Sequence, residues 1–127
     1  MNSTEMRALV EKYLDAYNSF DIEGMLALVH PNVEFKNVAN GAVNAQATGI
    51  DAFRQLAEQS KTLFSIRKQT MTSFQGSGDG AVITVTFRAV LAVDLPSGMR
   101  QGQELNLSGR SEFTFRDGKI VRIIDVS

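Results

Sequence analysis

Cysteine is absent from this sequence, and histidine occurs only once. Without cysteine the chain cannot form disulfide bonds, iron–sulfur clusters or zinc sites built from thiolates. A single histidine, His30, also argues against a catalytic or structural zinc site, so we expect no bound metal. A chain without disulfides suits a reducing compartment, and we therefore expect this one in the cytoplasm.

Long apolar runs and an excess of one charge are missing as well. No window approaches the ~18 apolar residues of a membrane span, and Glu5 without an apolar run argues against a signal peptide. Thirteen basic and fourteen acidic residues give a net charge of −1, which provides no electrostatic reason to bind nucleic acid or an anionic membrane. The 127 residues are 43% apolar and 21% charged, which indicates one globular domain spanning residues 1–127.

Helical spacing dominates the start of the chain. Apolar residues between Met6 and Tyr17 recur at i, i+3, i+4 and i+7, which predicts an amphipathic helix with Thr4 as its N-cap. Asp21 is expected to cap a short second helix that ends at His30, because the residue before Pro31 disfavours helical geometry. At that helix end, His30 is expected to act as a cap or to interact with the helix dipole rather than in catalysis.

The middle of the chain is less regular. A short strand is predicted over Val33–Val38, followed by a flexible loop or weak hairpin over Ala39–Thr48. Gly49 leads into a third amphipathic helix. The segment Leu63–Phe74 predicts a strand in which the apolar residues change phase, so a bulge is expected near Lys68.

Three long strands are predicted in the last part of the chain. Apolar and polar residues alternate over Ala81–Val93 and Gln103–Phe115, and the Asp117–Gly118 turn leads into a final strand from Ile120. The element order α-α-β-α-β-β-β-β predicts an α+β fold with a twisted antiparallel sheet of four or five strands. The space between this sheet and the first helix is the expected ligand site.

Polar side chains that share the phase of buried neighbours are expected to point into this space. They are Tyr13, Tyr17, Asn37, Ser111 and Asp125. Each also has a purely structural explanation. The tyrosines could be core residues whose hydroxyls reach backbone carbonyls, and Asn37 could only anchor the adjoining loop. Ser111 could simply make room, and Asp125 could be solvated or paired with Arg110 or Arg122.

A resemblance to a known group of proteins covers nearly the whole sequence. It rests on Tyr13–Val29, His30–Phe35, Gly49 and above all Gly109–Val121. Their order and spacing resemble the nuclear-transport-factor-2-like superfamily and, within it, the polyketide-cyclase-like (SnoaL-like) proteins. The resemblance implies a cone of strongly curved, mixed or antiparallel sheet packed on three N-terminal helices, the cystatin-like fold. It also implies a homodimer formed through the outer face of the late strands.

The superfamily contains isomerases, cyclases, epoxide hydrolases, dehydratases and non-catalytic binding domains, so the resemblance alone assigns no function. Aligned with the steroid isomerases, Tyr13 matches their oxyanion-binding tyrosine, and Ser111 falls where their second oxyanion donor should be. Asn37 falls where their carboxylate base should be. An amide cannot accept the proton, so the resemblance supports that reaction poorly.

Two other branches of the superfamily match this sequence at Asp125. Epoxide hydrolases use an aspartate on the last strand and an asparagine that helps to hold a water, which Asp125 and Asn37 match. Their arginine–aspartate pair is replaced by Phe87 and Ala89, and their tyrosine by Phe35. Polyketide cyclases need an acid/base pair, for which Asp125 could serve although no histidine aligns as its partner.

We therefore hypothesise that Asp125, with its pKa raised by apolar neighbours, acts as a base on a substrate C–H or on a water. Asn37 and Tyr13 would hold the polar end of a small apolar or polyketide-like ligand in a closed pocket, without a cofactor. The other expected pocket residues are Tyr17, Phe35, Phe53, Phe87 and Ser111. The rival hypothesis is a non-catalytic binding or dimerisation module, which the amide at the expected base position favours.

Overall fold

Three helices pack on a six-stranded sheet in the computed structural model, which describes residues 1–127. The elements are α1 (Ser3–Asn18), α2 (Ile22–Leu26), β1 (Val29–Ala39), β2 (Ala42–Thr48), α3 (Ile50–Lys61), β3 (Phe64–Ser77), β4 (Gly80–Leu91), β5 (Glu104–Arg116) and β6 (Lys119–Val126). The strand order is β2-β1-β6-β5-β4-β3, with β1 and β6 parallel and all other neighbours antiparallel. The α+β prediction is confirmed, and the sheet is mixed, with one strand more than the four or five expected.

The first helix begins at Ser3, two residues earlier than a cap at Thr4 would allow. Asn2, not Thr4, is the N-cap: its Oδ1 accepts a hydrogen bond from the Glu5 backbone N–H at 2.8 Å. The Glu5 carboxylate in turn accepts one from the Asn2 backbone N–H at 3.1 Å, which completes a capping box. The buried side of the helix comprises Met6, Val10, Tyr13 and Leu14, in agreement with the predicted apolar stripe.

The second helix is shorter than predicted, and His30 does not lie at its end. The helix stops at Leu26, and the backbone joins the sheet at Val29, which pairs with Ile120 of β6. The β1–β6 pairing is then interrupted until Glu34, and Pro31, which has no N–H to donate, lies in this gap. His30 is therefore a strand residue, and its Nε2 lies 3.4 Å from Oδ2 of Asp117.

The hairpin alternative, not the flexible loop, describes the segment after β1. Strand β2 pairs with β1 in antiparallel register, and Ala39 lies opposite Ala42. Between them, Asn40 and Gly41 have positive φ values of 53° and 78°, as the central residues of a type I′ hairpin turn require. The Asn–Gly pair is thus the sequence signal for β2, the strand that the prediction of four or five strands does not include.

The bulges of β3 lie on either side of the predicted position at Lys68. The pairing with β4 shifts between Phe64 and Ile66 and again between Met71 and Ser73. The first shift turns Ile66 outward, where it is 50% exposed, and turns Arg67 inward, where it is 2% exposed. An arginine thereby reaches the inner face of the sheet, where the sequence pattern predicts an apolar residue.

The core lies between the helices and the inner face of the sheet as one cluster of buried side chains. In β6 both Ile120 and Ile123 are buried, so the strict alternation breaks between them. Val121 therefore does not share the inner face with Ile123, whereas Asp125 does. None of the three helices combines the length and the apolar composition that a membrane-spanning helix requires.

Candidate functional site

A cavity of about 940 Å³ lies between α1, α3 and the inner face of the sheet. All eight side chains predicted to form the pocket line it, namely Tyr13, Tyr17, Asn37, Phe35, Phe53, Phe87, Ser111 and Asp125. Exposed residues also line it, among them Glu58, Gln59 and Leu107, whose side chain is 51% exposed. The cavity of the single chain is therefore open to solvent on this side, in contrast to the closed pocket that the sequence predicts.

Asp125 occupies the centre of a row of residues that crosses three strands. In the sheet it lies opposite Asn37 of β1 and opposite Ser111 of β5. The Ser111 hydroxyl donates a hydrogen bond to Oδ1 of Asp125 at 2.6 Å. Strand β6 lies between β1 and β5 in the sheet, so these three adjacent strands bring the three polar groups to one wall of the cavity.

Asp125 is partly buried, and its carboxylate has no cationic partner. The two arginines that could have paired with it bind other carboxylates: Arg110 contacts Glu112 at 3.2 Å, and Arg122 contacts Glu34 at 3.8 Å. Burial raises the pKa of Asp125 to about 6, although the hydrogen bond from Ser111 works in the opposite direction. Asp125 is therefore a carboxylate that can both accept and return a proton near neutral pH.

Tyr13 supplies a hydroxyl donor beside this base. The residue is 95% buried, and its ring packs edge-on against Phe113 with the ring centroids 6.1 Å apart. Burial and the neighbouring negative charge of Asp125 raise the pKa of the Tyr13 hydroxyl well above its ordinary value. The phenol consequently stays protonated at neutral pH and can donate a hydrogen bond to a ligand oxygen.

Asn37 combines a structural contact with a place in the cavity wall. Its Nδ2 donates to Oδ1 of Asn44 in β2 at 2.8 Å, so it ties the hairpin in place as the structural explanation predicts. It also lines the cavity opposite Asp125. The contact to Asn44 fixes the orientation of the amide and leaves its own Oδ1 as an acceptor.

Arg67 is a cavity residue that the sequence analysis missed. Its Nε donates to the backbone carbonyl of Tyr17 at 2.8 Å, and its guanidinium carbon lies 3.8 Å from the centroid of the Tyr17 ring and 4.6 Å from that of Phe20. Burial lowers the pKa of the guanidinium. One signal was available: Arg67 and Lys68 are adjacent in a strand, so one of the two must point to the inner face.

The end of α1 is fastened to the strand that carries this arginine. The Asn18 side chain donates to the Gln69 carbonyl at 3.0 Å and accepts from the Gln69 backbone N–H at 2.7 Å. This pair of hydrogen bonds keeps α1 and β3 in register. Tyr17 and Arg67 are consequently held against each other at one end of the cavity, and Asp125 lies on a different wall.

Neither in this cavity nor elsewhere does the structure bring together three or more His, Cys, Asp or Glu side chains that could hold a metal ion. His30, the only histidine, does not line the cavity. Its Nδ1 accepts a hydrogen bond from the Asn32 backbone N–H at 3.0 Å. The titratable groups that face the cavity interior are therefore Asp125, the two tyrosines and Arg67.

Comparisons with known proteins agree with this architecture. The model of a family described as SnoaL-like domain matches residues 10–123. A proposed polyketide cyclase of Xanthomonas campestris superposes with a TM-score of 0.78 at 21% identity, over 100% of this chain and 93% of that one. A proposed SnoaL-like polyketide cyclase of a Jannaschia species gives a TM-score of 0.80 at 13% identity, over 97% and 85%.

A proposed ketosteroid isomerase of Kribbella flavida also superposes, with a TM-score of 0.73 at 21% identity, over 98% of this chain and 78% of that one. At such identities these structures show a shared fold and nothing finer. No curated protein sequence matches the chain significantly.

Proposed function

Because this chain belongs to the SnoaL-like domain family, we propose that it is an acid/base enzyme of the isomerase or cyclase type that works without a cofactor. The observation that carries the proposal is the partly buried carboxylate of Asp125, whose pKa is raised to about 6 beside an open cavity. A base with a pKa near the ambient pH combines a useful ionised fraction with a useful affinity for the proton.

The proposed reaction begins with proton transfer from a carbon next to a substrate carbonyl. Asp125 accepts the proton, and the electron pair of the broken C–H bond moves onto the carbonyl oxygen to form an enolate. Tyr13 donates a hydrogen bond to that oxygen, and the amide of Asn37 orients the substrate. Protonated Asp125 then returns the proton to another carbon in an isomerisation, or to the new alkoxide after the enolate carbon has attacked a second carbonyl in a cyclisation.

The shape of the cavity supports a small, mostly apolar substrate. Aromatic side chains cover much of its wall, with Phe35 and Phe53 in edge-to-face contact at 6.0 Å and Phe64 and Phe87 at 5.8 Å. A volume of about 940 Å³ lies in the range of drug-sized ligand pockets. We therefore propose an apolar or polyketide-like substrate whose carbonyl lies at the Asp125 wall.

The pH dependence of proton exchange tests this proposal. β-Tetralone, a bicyclic ketone with an acidic C–H, serves as the probe, and deuterium incorporation from heavy water is followed by NMR. We expect the enzyme-catalysed rate to rise with pH and to reach half its plateau near the Asp125 pKa of about 6, because only the ionised carboxylate accepts a proton.

Ser111→Ala is the matched variant for this experiment. It removes the hydrogen bond that lowers the pKa of Asp125, so the half-point of the profile should move to higher pH. A wild-type exchange rate that merely follows the hydroxide concentration, without a plateau, would argue against a protein base.

Non-catalytic ligand binding is the second candidate, because an amide, Asn37, lies opposite Asp125 in place of a second carboxylate. Native mass spectrometry after mild purification separates the two. A retained and unreacted apolar molecule, together with no exchange of β-tetralone, would favour a binding module. Epoxide hydrolysis at Asp125 is a further alternative, in which the second N–H of the Asn37 amide, the one not donated to Asn44, would help to hold the water.

We further propose a cytoplasmic homodimer that forms through the outer face of the sheet. This face carries exposed apolar side chains, Ile66 and Val82, that are 50% and 43% exposed, next to ion pairs such as Arg88–Glu104 at 2.8 Å. Such a mixed face suits an isologous interface. Sedimentation at micromolar concentration should give twice the mass of the chain, and a monomer would contradict the proposal.

A further inference from the structure

Arg67 is a buried cation without a counter-ion. It is 98% buried and takes part in none of the salt bridges of the molecule. Its Nη2 is buried and has no hydrogen-bond partner at all. Removing a guanidinium from water without a paired anion is costly, and a buried donor left unpaired adds to that cost.

The neighbours of Arg67 compensate for this only in part. Nε is satisfied by the carbonyl of Tyr17, in the last turn of α1, where the negative end of the helix dipole also favours a cation. The rings of Tyr17 and Phe20 lie close to the guanidinium and add cation–π attraction. These groups are all neutral, and none of them accepts a hydrogen bond from Nη2.

The other charged groups of the cavity do not neutralise Arg67 either. The pKa of Asp125 is shifted by burial and by the hydrogen bond from Ser111, and no nearby cation contributes to the shift. Glu58 and Arg110 line the exposed rim, and Arg110 is bound to Glu112 at 3.2 Å. The cavity interior therefore holds one cation at the Tyr17 end and one acid at a separate wall. A ligand that spans both ends meets a positive charge and a base.

We propose that Arg67 binds an anionic oxygen of the ligand, so that the cavity accepts an acidic molecule: a carboxylic acid or acidic enol carried on an apolar ring or chain. The planar guanidinium suits such an oxygen because it offers fixed N–H donors and keeps its charge at any physiological pH. That this acid is also the substrate rests on the proposed function above, whereas the anion site itself does not.

Binding of two probes of equal shape tests the anion site without requiring any activity. β-Naphthoate carries a carboxylate, and methyl β-naphthyl ketone is its neutral counterpart. Near neutral pH the wild-type protein should bind the naphthoate about tenfold or more tightly than the ketone, as expected for a charge-assisted hydrogen bond. Arg67→Met keeps an apolar stem in the wall and should lose this preference while binding the ketone as before.

Arg67→Lys keeps the positive charge but lacks the planar guanidinium, so it should retain part of the preference for naphthoate over the ketone. This variant also tests the proposal if Arg67→Met does not fold. Equal affinity of the wild-type protein for both probes would overturn the proposal. An equal loss of affinity for both probes in Arg67→Met would also overturn the proposal, because it would show that the arginine only supports α1 and the cavity wall. Neither outcome bears on proton exchange at Asp125, which the pH profile tests separately.

Discussion

Asp125→Asn should lower the rate of proton exchange at least ~100-fold, because a general base typically contributes 10²–10⁴ to the rate. The substitution is nearly isosteric, and the amide can still accept the hydrogen bond from Ser111 that the carboxylate accepts at 2.6 Å. The fold and the cavity should therefore persist, and only the ability to take up a proton should disappear. NMR exchange of β-tetralone measures the rate, and β-naphthoate affinity reports whether the cavity is intact.

The same substitution should make the protein more stable near neutral pH. The carboxyl pKa rises from 3.8, the value of an unperturbed side chain, to about 6 in the folded state. Between these values the folded chain binds more protons than the unfolded chain, so the free energy of unfolding falls as the pH rises. A pKa shift of ~2 units lowers the free energy of unfolding by up to ~3 kcal/mol. This loss of stability is complete at pH values above the folded pKa and absent at pH values below the unfolded pKa.

Urea unfolding of both proteins at about pH 8 and again near pH 3 measures this difference. Asp125→Asn should gain up to ~3 kcal/mol over the wild type at the higher pH and nothing at the lower. A variant that is less stable by the same amount at both values would show that Asp125 is a favourable structural residue. A gain in stability combined with lost activity would instead identify the carboxylate as a group kept at a cost for its chemistry.

Gly109→Ala should destabilise the protein by about 2–3 kcal/mol and lower the midpoint of thermal unfolding by roughly 10 °C. A Cβ at this position of β5 would lie 2.6 Å from the carbonyl oxygen of Val126. The obstacle is backbone, so it can move only if the end of β6 moves. Val126 adjoins Asp125, and a displacement of the base by even ~1 Å can reduce the rate ~100-fold.

Ser108→Ala is the control for this prediction, because it introduces the same residue at the adjacent exposed position of β5. Calorimetry should show little change in the control and a large one in Gly109→Ala. If both variants unfold at the wild-type temperature, the approach of β6 to β5 at this point is looser than the geometry indicates. Proton exchange of β-tetralone then shows whether Asp125 has moved.

Periodicity was sufficient to predict the α+β fold and to identify eight side chains that line one cavity. These residues lie in segments where the strand alternation or the helical spacing is not interrupted. The direction of each side chain can therefore be inferred from that of a buried neighbour in the same segment. Asp125 is the exception, because the alternation of β6 breaks between Ile120 and Ile123; it still shares its face with Ile123, which is 1% exposed. Local sequence periodicity, with a repeat of two residues in strands and about four in helices, is therefore sufficient to predict these eight cavity residues.

Arg67 could not be placed in this way, because its direction depends on the extra residue that β3 contains relative to β4 near Ser65. A bulge reverses the phase of all residues that follow it, and nothing local in the sequence marks its position. The prediction that His30 ends a helix is wrong for a related reason. The pairing of Val29 with β6 is a long-range contact, and it overrides the weak helical preference of the preceding residues.

The parallel pairing of β1 with β6 also has a consequence for folding kinetics. It joins Asn37 to Asp125, two cavity residues that lie far apart in the sequence, and closing so long a loop is slow. The hairpins of β1–β2, β3–β4 and β5–β6 can each form from neighbouring residues, but none of them alone encloses the cavity. Hydrogen exchange of the backbone amides along this parallel seam would therefore report when, and how firmly, the two halves of the binding wall are joined.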